Sequence, residues 1–205
     1  MIGTVYTKSI GVPLPDIDVI LRYAGASAGS EELVPLTESL VASALPELTY
    51  KVCYGIYPVS YSGETLDLGF MRTESKSLNL RLSGCEYVLV FGATVGIGID
   101  RLAFRYEHTS PASALIIEAI GSERVESLCD AFSEIVEKEA MRKGYSVTKR
   151  FSPGYGDLPL EAQRDVLLTL GNGKSIGLSL TESLILSPKK SVTAIIGFKR
   201  NESEK

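Results

Sequence analysis

The sequence predicts a single domain, residues 1–205, in which helices alternate with strands, and three observations carry that reading. First, 205 residues with 44% apolar and 22% charged content are enough to build a substantial core, which sets aside disorder and fibrous structure. Second, stretches with apolar residues at helical spacing alternate with stretches of period two, joined by short connections. Third, the chain has no internal repeat and no low-complexity linker that would divide it.

Taken in order, Asp16 stands as an N-cap before Ile17, Ile20, Leu21 and Ala24, and Gly25 supplies the stop. A second helix is expected from Ser30 to Ala44, with Leu36, Leu40, Val41 and Ala44 on one face and Pro46 closing it. Tyr50, Val52, Tyr54 and Ile56 alternate as a strand does, and so do Leu66, Leu68 and Phe70 after a turn at Ser62-Gly63. Ser75 to Leu82 predicts a short helix ended by Gly84, and the unbroken apolar run Tyr87 to Phe91 a central strand buried on both faces. The longest helical stretch opens with Ser110 as cap and Pro111 at the first position. It carries the stripe Val125, Leu128, Phe132, Ile135 and closes at Lys143-Gly144, with Gly121 as a point where it could divide in two. A strand at Tyr145 to Lys149, a turn-rich segment Phe151 to Pro159 and a helix to Leu170 follow. A turn at Ser187 to Lys190 then leads into the alternation Val192, Ala194, Ile196, Phe198, and Asn201 to Lys205 read as a frayed polar tail.

Composition narrows the functions. No apolar run approaches the roughly 18 residues of a membrane span, and Met1 to Leu14 lack the basic and apolar regions of a signal peptide, so the expected location is cytoplasmic with no membrane partner. Cys53, Cys85 and Cys129, odd in number and far apart, fit reduced thiols rather than a disulfide framework or a zinc knuckle. A single histidine, His108, rules out multi-histidine metal sites; a Ser-His-Asp triad has no supporting motif. A pI near 5.2 argues against a surface that neutralises phosphates, so no nucleic-acid partner is expected. Gly96-Ile97-Gly98 imitates a dinucleotide loop but has Arg101 where the third glycine belongs. Gly173-Lys174-Ser175 ends like a phosphate loop, yet Leu168 occupies the position of the required glycine, and Asn172-Gly173 reads better as a tight turn.

The most informative stretch is Arg150-Phe151-Ser152-Pro153-Gly154-Tyr155-Gly156. An arginine fork suits a carboxylate, Gly154 lets backbone approach a ligand closely, and the face of Tyr155 attracts a cation. A small zwitterionic ligand with extra positive charge would match; so would a loop whose arginine pairs with a surface acid.

This segment resembles the Arg-x-x-Pro-Gly-Tyr signature of the S-adenosylmethionine-binding activation domain of cobalamin-dependent methionine synthase. Two further segments are similar in order: Leu180-Thr181-Glu182-Ser183, followed by Pro188 and Ser191-Val192, and Leu82-Ser83-Gly84 leading into Tyr87 and Phe91-Gly92-Ala93-Thr94. The resemblance runs from residue 82 to 198 and is weak over the first 80.

The resemblance implies an α+β fold, a twisted antiparallel sheet with flanking helices and a shallow ligand groove. It implies S-adenosylmethionine as the ligand, held at Arg150 through the methionyl carboxylate, with Ser152, Gly154 and Tyr155 along the groove. Asp130, in Leu128-Cys129-Asp130-Ala131-Phe132, resembles the acid of the family's ligand-contacting helix; the position also suits a solvated charge. The implied partners are a cobalamin-dependent methionine synthase lacking its own activation domain, which carries the corrinoid, and an electron donor such as a flavodoxin-like reductant. The chain has no Asp-x-His-x-x-Gly pattern with which to hold cobalamin itself. It departs from the family in ending soon after Phe198, before an aromatic that closes the ligand site, and Asp16 and Asp18 match no N-terminal aspartate contact. The expectation is therefore a short stand-alone reactivation component of a methyltransferase system, the alternative being a non-catalytic docking protein for a corrinoid protein.

Overall fold

The computed structural model describes residues 3–26 and 31–201. Its centre is a five-stranded antiparallel sheet in the order β1-β2-β6-β10-β7, formed by Tyr6–Ser9, Lys51–Pro58, Cys85–Thr94, Ser191–Arg200 and Tyr145–Val147. Two smaller antiparallel sheets join β3 (Ser60–Ser62), β4 (Thr65–Asp67) and β5 (Arg72–Thr73), and β8 (Ser179–Leu180) with β9 (Leu186–Ser187). The helices are α1 (Ile17–Tyr23), α2 (Val34–Ala44), α3 (Lys76–Leu82), α4 (Gly98–Glu107), α5 (Pro111–Arg142) and α6 (Ala162–Thr169). The expected antiparallel sheet with flanking helices is therefore present.

Side-chain alternation explains why the central strands are apolar throughout. From β6, Leu89, Phe91 and Ala93 enter a core with α1, α2, α4 and α5, whereas Val88 and Val90 enter a second core beside α3 and α6. β10 does the same, with Ala194 and Ile196 on one side and Ile195 on the other. Burying each large side chain here contributes about 1.5–3 kcal/mol.

Asp16 caps α1 as expected, its carboxylate accepting from the Val19 amide at 3.1 Å. The helix expected from Ser30 becomes a short 3-10 turn at Glu31–Leu33 followed by α2; Ser30 itself lies outside the described residues, as do 202–205 of the expected tail. The buried face of α2 uses Thr37, Leu40, Val41 and Ala44, while Leu36 faces solvent because it is one position off that stripe. The strand expected through Phe70 ends at Asp67: the Asp67 carboxylate accepts from the Gly69 amide at 2.8 Å and turns the chain.

α5 is one continuous helix of 32 residues, so Gly121 does not divide it. Glycine is required there for space: a Cβ would stand 2.7 Å from Lys190 Cγ and 3.1 Å from Ile99 Cγ1. Ser110 occupies the N-cap, but its hydroxyl meets that of Ser113 at 2.8 Å rather than a backbone amide. Deep in α5, Arg124 and Glu123 form a buried ion pair, and Arg124 also donates to the carbonyls of Pro13 at 2.5 Å and Leu14 at 3.2 Å, fastening the segment before α1.

α4 has no counterpart among the helices expected from the sequence. Its glycine pair Gly96 and Gly98 serves packing, since Gly98 lies against the Glu47 carbonyl. Asn172 (φ 57) and Gly173 (φ 67) are both left-handed, the geometry of a tight turn rather than a phosphate loop. No helix among the described residues is long and apolar enough to cross a membrane.

Candidate functional site

The Arg150–Gly156 segment is positioned by the sheet. After β7, Thr148 donates to the Gly197 carbonyl at 3.0 Å, and Phe151 exchanges two backbone bonds with Ile195, at 2.9 and 2.8 Å. The chain therefore stays paired to β10 until Phe151, then turns away at Ser152 and the buried Pro153. Within the turn, the Tyr155 amide donates to Ser152 at 3.2 Å and the Gly154 amide to Leu158 at 3.0 Å; Gly154 is left-handed (φ 86), which its lack of a Cβ permits.

Asp157 anchors the far side of this loop. Its carboxylate accepts from the Ser75 hydroxyl at 2.5 Å, the Lys76 amide at 2.8 Å and the Ser77 amide at 3.1 Å at the start of α3. Those donors, the Ser75 hydroxyl first, hold the carboxyl well below the usual carboxylate range.

A cavity of about 480 Å³ opens beside the loop. It is bordered by Arg150, Ser152 and Tyr155, by Glu126 of α5, by Gln163 of α6 and by Thr193 of β10. Arg81 and Lys149 add positive charge to its wall. Gln163 is fixed at both ends, donating to the Leu184 carbonyl at 3.0 Å and accepting from the Thr193 hydroxyl at 3.2 Å. Leu184 belongs to the hairpin of Leu180-Thr181-Glu182-Ser183, where the Thr181 hydroxyl oxygen accepts from the Ile185 amide at 3.0 Å. This hairpin brings Leu186 to the cavity.

The structure brings most, but not all, of the sequence-derived residues to this wall. Arg150 Nη2 donates to Asp130 at 2.7 Å and to Glu126 at 3.2 Å, leaving Nε and Nη1 without side-chain partners among the described residues. Asp130 stands outside the lining as a partner of Arg150, and Gly154 shapes the turn without bordering the cavity. Tyr155 is 69% exposed, its ring open to a ligand or a partner. Glu126, Gln163, Thr193 and Arg81 are additions; Glu126 precedes Asp130 by four residues, hence on the same helix face. Cys129, between those two acids, is buried, and burial pushes its thiol up to about 12, too high for a nucleophile. His108 lies exposed at the end of α4, outside the site.

Chemically, the cavity offers a guanidinium for a carboxylate, one helix carboxylate, Glu126, for a cation, and hydroxyl and amide groups for neutral polar atoms.

A family model for the activation domain of vitamin B12-dependent methionine synthase matches residues 75–204. The chain belongs to that family. The match takes in every element around the cavity, from α3 through β10, while β1, α1, α2 and β2 to β5 precede it. The fold agrees with a solved structure, the MetH reactivation domain bound to AdoHcy: TM-score 0.63, 18% identity, covering 98% of this chain and 80% of that one. A search of curated proteins found no match. The overall fold of this activation domain is thus shared with a solved structure at low sequence identity.

Proposed function

We propose that this activation domain binds S-adenosylmethionine in the Arg150 cavity and presents its methyl group to a corrinoid carried by a cobalamin-dependent methionine synthase. The observation that carries the reading is the joining of Arg150, Ser152 and Tyr155 with Glu126 around one cavity of about 480 Å³, within the range of small-molecule sites. The binding of AdoHcy by the structurally similar MetH domain supports the same ligand class.

The residues fit the group. The unengaged nitrogens of Arg150 would receive the methionyl carboxylate, and Glu126 and Asp130 would favour the ligand's ammonium and sulfonium charges. Ser152, Gln163 and Thr193 offer polar atoms to neutral parts of the ligand, and the exposed ring of Tyr155 a face for stacking or cation contact. S-adenosylmethionine, the partner's corrinoid and a reductant such as a flavodoxin-like protein supply the methyl-transfer and redox chemistry. This chain contributes binding and orientation.

A second reading is a docking protein for a corrinoid protein that no longer uses the methyl donor. The pairing of Arg150 with two acids favours it, because a ligand must compete with or rearrange that contact. Reconstitution separates the two. A methionine synthase without its own activation domain, inactivated with oxidised cobalamin, is mixed with this chain, S-adenosylmethionine and a reductant. Recovery of the methylcobalamin spectrum is expected; complex formation with no recovery, the partner being intact and reducible, leaves the docking reading.

A further inference from the structure

On the opposite side of the sheet from α3 and α6, the last turns of α5 bridge a second cavity, of about 350 Å³, that the proposed function does not use. Five aromatic rings line it: Tyr54, Tyr87, Phe132, Tyr145 and Phe198. They hold one another in place, Tyr54 with Phe132 at 5.3 Å between ring centres, Tyr87 with Tyr145 at 6.2 Å and Tyr145 with Phe198 at 6.4 Å. The Tyr145 hydroxyl is further fixed by donating to Glu86 at 2.9 Å and accepting from Arg200 at 3.0 Å. The cavity wall is thus preformed, as small-molecule sites usually are.

The rim is positive. Lys8, from the edge strand β1, and Lys143, at the end of α5, border the cavity, and neither makes an ion pair among the described residues. The one carboxylate on the lining, Glu139, is engaged by Arg142 at 2.9 Å. With Glu139 balanced by Arg142, the two rim lysines outweigh the roughly half negative charge of a helix C-terminus. Glu86 and Arg200, behind Tyr145, cancel each other.

We propose that this cavity is a binding site for a small hydrophobic carboxylate, its apolar body between the rings of the sheet and the aliphatic side chains of α5, its carboxylate at Lys8 and Lys143. The volume sits at the lower end of ligand pockets, which favours an aromatic acid of one or two rings over a nucleotide. The two ammonium groups, without ion-pair partners among the described residues, select an anion over a neutral ligand of the same shape.

The test uses the full chain with 2-naphthoate and its uncharged amide, 2-naphthamide, followed by calorimetry. The acid is expected to bind one-to-one and at least tenfold more tightly than the amide. Lys8→Gln combined with Lys143→Gln removes that preference and leaves S-adenosylmethionine binding unchanged, since neither lysine borders the Arg150 cavity. Ile135→Trp fills the cavity from α5 and abolishes binding of both compounds; should that variant fail to fold, the double lysine variant decides. Equal affinity for acid and amide, no saturable binding of the acid, or a preference that survives loss of both lysines overturns the proposal. So does a dimer of the wild-type chain that Ile135→Trp dissociates, which would make the groove a contact between two copies.

Discussion

Arg150→Ala removes the guanidinium that borders the cavity and whose Nη2 donates to Asp130 at 2.7 Å and Glu126 at 3.2 Å. Its side chain is 24% exposed and those of Glu126 and Asp130 are 46% and 69% exposed, so the ion pairs are of the partly solvated kind worth at most about 1 kcal/mol. Removing the arginine also leaves two carboxylates four residues apart on one helix face, adding about 0.2–0.5 kcal/mol of repulsion. Together these lower Tm by no more than about 6 °C in a chain of this size. Ligand binding is a different matter. Charge-assisted hydrogen bonds to a carboxylate contribute about 1.5–3 kcal/mol, so the affinity for S-adenosylmethionine should fall by about 10- to 150-fold. Calorimetric titration of wild type and variant, with thermal unfolding of both in the same buffer, reads the two effects separately. Equal affinities would remove Arg150 from the site. A Tm loss well above 10 °C would show that its contacts with α5 are chiefly structural.

Glu123→Ala strands Arg124 in the core and should cost about 3–5 kcal/mol, read as a Tm drop of about 6–20 °C; replacing both by Leu and Met should recover most of the loss, and a single variant as stable as wild type would contradict the buried pair. Because the folded value of Asp157 is depressed, chiefly by the Ser75 hydroxyl, its contribution is complete above the ordinary carboxylate range and is lost as pH falls through the folded value. Wild type should therefore lose stability below about pH 4 more steeply than Asp157→Ala, and parallel acid curves would refute the anchoring of the loop to α3. Limited proteolysis should release no pair of separately folded halves, since β1 and β2 share their sheet with β10.

Much of the fold was legible because local signals agreed with tertiary demands. The Asp16 cap, the apolar run Tyr87 to Phe91 and the alternation from Val192 to Phe198 each mark an element that packing then uses. α4 escapes the sequence reading although Ile99, Leu102, Ala103 and Tyr106 carry helical spacing, because Gly96-Ile97-Gly98 draws attention as an imitation of a dinucleotide loop when its glycines serve close packing. Alternation extends the strand to Phe70 because it does not register the turn that the Asp67 side chain imposes. At the site, the loop residues Arg150, Ser152 and Tyr155 could be read from one short segment. Gln163, Thr193 and Arg81 could not, for they come from α6, β10 and α3 and meet only through the sheet. Glu126 was within reach, one helical turn before Asp130.

Amide chemical-shift mapping of the isotope-labelled chain during addition of S-adenosylmethionine tests the central claim most directly. Shifts concentrated at Arg150 to Tyr155, with Glu126, Gln163 and Thr193, and saturating at one equivalent are predicted. An unchanged spectrum, or shifts confined to the aromatic cavity around Phe132 and Phe198, would contradict the assignment of the ligand to the Arg150 cavity.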